Sequence, residues 1–179
     1  MKVIGFAGSN STNSINKKLV DHCLSCFEAD SSEILDLNDF EMAIYSADRE
    51  KSAGVPSLAI DFANKIDSAD LLIISLAEHN GAYTTAFKNI FDWVSRIPTR
   101  KAFGGKPILL MSTSPGPRGG SSVLEIAKNR FPFNGGVILE TFSLPRFNDN
   151  FSQEKGIIDE LLMQELFEKI KIVKNKMKI

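Results

Sequence analysis

The sequence predicts an α/β fold: a doubly wound, five-stranded parallel sheet of strand order 2-1-3-4-5 with helices on both faces. Three observations predict it. Short apolar runs alternate with helical periodicities along the whole chain, the pattern of βαβ units with right-handed crossovers. The run Asp70–Leu76 (DLLIISL) is apolar on both faces, as a parallel strand covered on two sides must be. The most unusual polar stretches follow the first, third and fourth strands, where an open sheet of this order receives ligands.

In chain order, Val3–Ala7 is a compact apolar run and reads as the first strand. Ile15, Leu19, Val20, Cys23, Cys26 and Phe27 recur at helical spacing. Ser32–Leu37 alternates and reads as the second strand, followed by a loop over Asn38–Gly54. Val55-Pro56 opens a second helix with Leu58, Phe62 and Ile66 on one face. After Asp70–Leu76, a third helix carries Phe87, Ile90, Phe91 and Val94 at i, i+3, i+4 and i+7. Pro107–Ser112 is the fourth strand, Ser122 to about Arg130 a short helix, and Gly136–Glu140 the fifth strand. A last helix is expected from about Gln153 to the end, with Ile158, Leu162, Leu166, Ile170 and Val173 in register.

The length, 179 residues, favours a single domain over 1–179. With 43% hydrophobic and 24% charged residues the chain can bury a sizeable core. A net charge of −1 gives no footprint for nucleic acid. No apolar run approaches the roughly 20 residues of a membrane span. The apolar start is too short for a signal peptide, so a cytoplasmic protein is expected. Cys23 and Cys26 form a C-x-x-C pair, but near the end of the first helix and on its apolar face. A redox pair sits at a helix N-terminus, and with only His22 and His79 beside them a zinc site is short of soft ligands. The cysteines therefore read as packing residues, and no metal site is expected.

The chemistry is expected in three loops. The first, Gly8–Asn16 (GSNSTNSIN), is rich in hydroxyls and asparagines, holds no carboxylate and leads into a helix N-terminus. Free N–H groups and the positive dipole end favour an anion there, and Ser9, Ser11 and Ser14 add hydroxyl donors. The loop matches neither the dinucleotide fingerprint nor the P-loop, so a terminal phosphomonoester held by neutral donors is the inference. The alternative is an ordinary polar loop capped by Asn13 or Ser14. The second, Ala77–Thr84, offers backbone groups to a flat heteroaromatic ring around an Asn80-Gly81 turn, with His79 either an acid/base group or an exposed loop residue. The third, Thr113–Gly120, is stiffened by prolines and opened by glycines. Its Arg118 meets the phosphate of an incoming nucleotide or is a solvated surface charge. The candidate cofactor-binding residues are Ser9, Ser11, Ser14, Ile15 and Asn16, then Ala77, Glu78, His79, Asn80 and Gly81, then Thr113, Ser114, Pro115 and Gly116.

Together these loops resemble the NADPH-dependent FMN reductase family, which includes bacterial quinone, chromate and azo-dye reductases. GSNSTNSIN is similar to the family's G-S-x-R-x-x-S-x-N. AEHNGAYTTAFKNIFDW is similar to P-E-Y-N-x-S-x-x-x-x-L-K-N-x-x-D-W, and the third loop to S-x-S-P-G-x-x-G-G. The similarity spans about Lys2 to Gly120, and the K-N-x-x-D-W run is its most specific part. The resemblance implies a flavodoxin-like fold with non-covalent FMN and NADPH or NADH as hydride donor. By matching position, Ser9, Ser14 and Asn16 hold the phosphate, Glu78 to Gly81 line the flavin ring, and Ser114 to Gly116 meet its polar edge. It also implies a homodimer or homotetramer, for which Trp93 and Ile97 offer a second apolar stripe unless both pack in the core. Three positions depart from the pattern: Ser11 replaces the phosphate-binding Arg, and Ala77 and His79 replace Pro and Tyr.

The expected function is FMN-dependent transfer of electrons from NAD(P)H to a small acceptor by ping-pong hydride transfer, with no catalytic side chain nominated. The acceptor classes are a quinone, an azo compound, free flavin or a metal oxyanion. The alternatives are a flavodoxin-type electron carrier, which the near-neutral charge disfavours, and a flavin-free interaction module on the same scaffold. The basic run Lys169–Lys176 either complements the negative end of the last helix or touches an anionic partner.

Overall fold

In the computed structural model, which describes residues 1–178, five parallel strands form the centre of the molecule in the order β2-β1-β3-β6-β7. They are β1 (Lys2–Gly8), β2 (Ser31–Leu35), β3 (Leu71–Leu76), β6 (Pro107–Thr113) and β7 (Val137–Leu144). Two small hairpins sit outside the sheet: β4 (Glu78–His79) with β5 (Ala82–Tyr83), and β8 (Phe151–Ser152) with β9 (Gly156–Ile157). The helices are α1 (Ile15–Ser25), α2 (Ala47–Ala53), α3 (Ser57–Ser68), α4 (Thr85–Val94), α5 (Ser121–Arg130), α6 (Phe147–Asn150) and α7 (Glu160–Met177). The expected 2-1-3-4-5 order of main-sheet strands is the observed one.

Alternation along the inner strands explains why their sequences are apolar throughout. Ile4, Phe6, Leu72 and Ile74 face one core, closed by α3, α4 and α5. Val3, Leu71, Ile73 and Leu109 face a second core, closed by α1 and α7. Each such side chain, fully removed from water, contributes roughly 1.5–3 kcal/mol. Close approach of α1 depends on Gly5, where a Cβ would stand 2.5 Å from Val20 Cγ1. Phe87, Ile90, Phe91 and Val94 of α4 are all buried, as their spacing predicts. Trp93 is buried too, its indole N–H donating to the Ala43 carbonyl at 2.7 Å, and Ile97 packs against the same core. Trp93 therefore belongs to the interior, and Ile97, which follows α4, is half-buried.

A buried knot joins the strand ends. The Asn16 carboxamide, 2% exposed, accepts from the Ser75 hydroxyl at 2.7 Å and from the Thr113 N–H at 3.1 Å. Its amide donates to the Thr113 carbonyl at 3.2 Å. The start of α1 is thus fixed to the ends of β3 and β6. The Thr84 hydroxyl donates to the Gly8 carbonyl at 2.8 Å and accepts from Phe87 N–H, so it caps α4 and ties it to the end of β1.

Four expectations are corrected. The second strand ends at Leu35, a 3₁₀ turn at Leu37–Phe40 takes in its expected end, and the 38–54 segment holds helix α2, capped by Ser46 accepting from Arg49 N–H. Its helix faces no core, so no apolar period announces it. The fifth strand runs on to Leu144, where Phe142 and Leu144 are buried. The last helix begins at Glu160, because Asp159 caps it by accepting from Leu162 N–H at 2.9 Å. The residues before it form α6 and the β8–β9 hairpin, Ile158 is 48% exposed, and Ile179 lies outside the described residues. Gly156 makes that hairpin possible: its φ is +72°, and a Cβ there would run into the His22 ring. His22 in turn stands edge-on to Phe151, with Nε2 lacking a hydrogen-bond partner.

Asn16→Ala is expected to strand the Ser75 hydroxyl and the Thr113 N–H in the interior and to cost roughly 2–5 kcal/mol. Urea unfolding measures this, and a change under about 0.5 kcal/mol would refute the role. Burial lowers the His22 imidazole from its ordinary 6.5, with Asp21 partly opposing. A base whose folded pKa is depressed leaves stability fully present above the unfolded value and erodes it as pH falls towards the folded one. Unfolding midpoints are therefore expected to fall below about pH 6.5, and less steeply in His22→Gln. Identical slopes in the two proteins would remove His22 from the account.

Candidate functional site

The order of the strands reverses between β1 and β3, and the crevice beyond their carboxyl ends is the place an open sheet offers a ligand. Here the loops after β1, β3 and β6 enclose one concavity of about 200 Å³. Ser9, Ser11, Asn13, Ser14, Ile15 and Asn16 line it from the first loop. Ala77, Glu78 and His79 line it from the second, and Thr113, Ser114 and Pro115 from the third. Asn80, Gly81 and Gly116 lie outside the lining. Asn80 and Gly81, with φ of 52° and 78°, make the two-residue turn of the β4–β5 hairpin. The Gly116 carbonyl is taken by the Gly119 and Arg146 N–H groups.

The first loop is wound by its own hydroxyls. Ser9 Oγ accepts from Ser11 N–H at 3.2 Å, and the Ser11 carbonyl accepts from Ser14 N–H at 3.2 Å. Ser14 caps α1 by accepting from Lys17 N–H at 3.2 Å, which leaves its own proton to donate. The N–H groups of Ile15 and Asn16, in the first turn, have no acceptor within the helix. The side chain of Asn16 is spent in the knot, so this residue offers the concavity its backbone N–H. No lysine or arginine lines the concavity. Lys17 turns to Asp36 at 2.6 Å, which pulls the Asp36 carboxyl below the usual range. The first loop is therefore a set of neutral donors at the positive end of a helix dipole, the arrangement that holds an anion.

The second and third loops are joined by Glu78. Its side chain is 11% exposed, and its carboxylate accepts from Val123 N–H at 3.1 Å in the first turn of α5. The other oxygen stands 3.5 Å from Arg118 Nη2, whose side chain is 73% exposed. Beside the concavity, beyond Asn10, lies a groove of about 250 Å³ floored by Leu37, Phe40, Met42 and Ile90. Tyr83, at the far side of the β4–β5 hairpin, is pushed up to about 12 by burial, Arg130 partly opposing.

The C-x-x-C pair sits at the opposite end of α1 from the concavity. Cys23 is wholly buried, and burial pushes both thiols up, Cys23 strongly, which suits packing and not thiolate chemistry. Among the described residues no group of three His, Cys, Asp or Glu could hold a metal. No described helix is long and apolar enough to cross a membrane. Sequence reasoning missed Asn13 in the lining and Ser75 and Thr84 behind it. Ser75 had a signal, as the one hydroxyl in the DLLIISL run, and Thr84 had another, as a capping residue ahead of an apolar period.

Comparison with known proteins identifies the family and the fold. The profile of the family "NADPH-dependent FMN reductase" matches residues 1–149. A quinone reductase of Escherichia coli strain K12 is 29% identical over 148 residues, covering 74% of this chain and 77% of its own. The fold is that of the flavoenzyme NAD(P)H:(acceptor) oxidoreductase FerB of Paracoccus denitrificans, with TM-score 0.74 and 22% identity over 97% of both chains. It is shared with an FMN-dependent NADH-azoreductase of Bacillus anthracis in complex with FMN, with TM-score 0.61 and 14% identity over 97% of this chain and 98% of that one. The flavodoxin-like sheet, its polar switch-point crevice and the profile over 1–149 agree: the chain belongs to the NADPH-dependent FMN reductase family of oxidoreductases.

Proposed function

We propose that the protein holds FMN in the concavity between β1, β3 and β6 and uses it to carry electrons from NAD(P)H to a small acceptor. The observation that carries this is the meeting of three loops around a neutral, hydroxyl-lined helix N-terminus at the switch point of the sheet. The donor set fits a phosphomonoester: Ser9, Ser11 and Ser14 supply hydroxyls and Ile15 and Asn16 supply N–H groups at the end of the α1 dipole. Ser11 stands where the family pattern has arginine, so phosphate affinity rests here on hydrogen bonds and the dipole, with no formal positive charge.

Bound FMN supplies a ring that accepts hydride from a reduced nicotinamide and then passes the electrons to a quinone, an azo compound, free flavin or a metal oxyanion. The chain orients and shields. Ala77, Glu78 and His79 of the second loop and Thr113, Ser114 and Pro115 of the third line the concavity and would border the ring. A concavity of about 200 Å³ is smaller than the roughly 300–1,000 Å³ that encloses a whole ligand. A mononucleotide seated in it stays partly open, which suits two substrates that visit one face in turn. The same reading takes the protein as a cytoplasmic homodimer or homotetramer, with no nucleic-acid or membrane partner.

Purified protein incubated with FMN and desalted is expected to be yellow, and to bleach on anaerobic addition of NADPH or NADH. Steady-state rates against the two substrates are expected to give parallel lines. Colourless protein after incubation with FMN would overturn the reading. A yellow protein that neither nucleotide bleaches would make it a carrier, and intersecting lines would overturn the two-stage scheme.

A further inference from the structure

The cradle that receives the proposed cofactor contains no lysine or arginine, yet any nicotinamide dinucleotide that reaches it brings a doubly charged pyrophosphate. Lys17, in the first turn of α1, is engaged with Asp36 at 2.6 Å. Arg118 differs in place. Among the described residues it is the one cation that pairs with a side chain lining the cradle, Glu78, and that pairing is loose at 3.5 Å. Its side chain is 73% exposed, so most of its five N–H donors face solvent.

Its backbone, by contrast, is held. The Arg118 carbonyl accepts from Ser121 N–H at 3.0 Å as α5 begins. The next carbonyl, of Gly119, accepts from Ser112 Oγ at 2.7 Å and Ser143 Oγ at 3.0 Å. Gly120, which precedes α5, has no side chain with which to cap it, and the first turn of α5 carries no acidic residue. Glu78 fills that role from another loop by accepting from Val123 N–H at 3.1 Å. One carboxylate thus does two things: it occupies the anion-attracting end of α5, and it keeps the guanidinium at the rim.

We infer that Arg118, held at the cradle's rim by Glu78, is the docking point for the pyrophosphate of the nicotinamide dinucleotide, and that Glu78 is its positioning residue. The inference rests on the proposed flavin function and adds the recognition of the hydride donor to it. A planar guanidinium suits a phosphate through paired N–H donors. The phosphate of the mononucleotide belongs to the α1 end of the cradle, so the two anions do not compete for one group. Because the contact is made to a part of the dinucleotide remote from the reacting carbon, it changes binding and not the rate once bound.

The test is anaerobic stopped-flow reduction of the FMN-loaded protein over a range of NADH and NADPH concentrations. Arg118→Ala is expected to raise the half-saturating concentration of both nucleotides about tenfold and to leave the limiting rate within about twofold, with FMN affinity unchanged. Arg118→Lys is expected to recover part of the loss. Glu78→Gln keeps an acceptor for Val123 N–H but loses the ion pair, and is expected to give a smaller rise. Half-saturation unchanged in Arg118→Ala would overturn the inference, as would an equal effect in Arg146→Ala, whose side chain is also exposed beside this loop. If the wild-type protein takes up no FMN, or is reduced by neither nucleotide, the proposed function falls and this inference with it. If the wild type is reduced and the variants match it, the inference falls alone.

Discussion

Asn16 is the residue on which the site depends. Its carboxamide joins the first turn of α1 to Ser75 at the end of β3 and to Thr113 at the end of β6. Three loops far apart in sequence are thereby held around one crevice. The hydrogen bonds are buried, so their loss is not repaired by water, and the group left unpaired bears the cost. Thr84 adds the fourth corner by tying α4 to the end of β1. The cradle's rigidity thus comes from polar groups placed just behind it, and the lining itself is free to offer hydroxyls and N–H groups.

Charge around this crevice is arranged by pairing. Lys17 at the start of α1 is matched with Asp36, the lining has no formal positive charge, and its one carboxylate, Glu78, is turned to the start of α5. On the proposed reading an anion would be met by dipoles and hydrogen bonds, which act only at close range and in one geometry. On the same reading, long-range attraction would fall to Arg118, paired with Glu78 at 3.5 Å. Such a division separates the tight holding of a resident group from the weaker, reversible capture of a substrate that must also leave.

Much of this was legible in the sequence because it is written in periodicity. The inner strands announce themselves by runs apolar on both faces, and α4 by Phe87, Ile90, Phe91 and Val94. Strand order followed from alternation, and the crevice from strand order. What escaped was structure with no apolar period: α2, which buries none of its residues, and the β8–β9 hairpin, which depends on the backbone of Gly156 and the ring of His22. Side-chain commitments were illegible for another reason. That Asn16 faces inward to Ser75 while Ser14 keeps a proton for the cradle is decided by the turn between them. That Glu78 caps α5 depends on a contact across 45 residues, which no local pattern records.

The central claim is that neutral donors at the start of α1 hold a phosphate. It is tested most directly by comparing the dissociation constants of FMN and riboflavin, which differ only in that group. With several hydrogen bonds of the charge-assisted kind, FMN is expected to bind at least about 100-fold more tightly than riboflavin. Equal affinities would show that the phosphate meets nothing in the cradle, and would contradict the account.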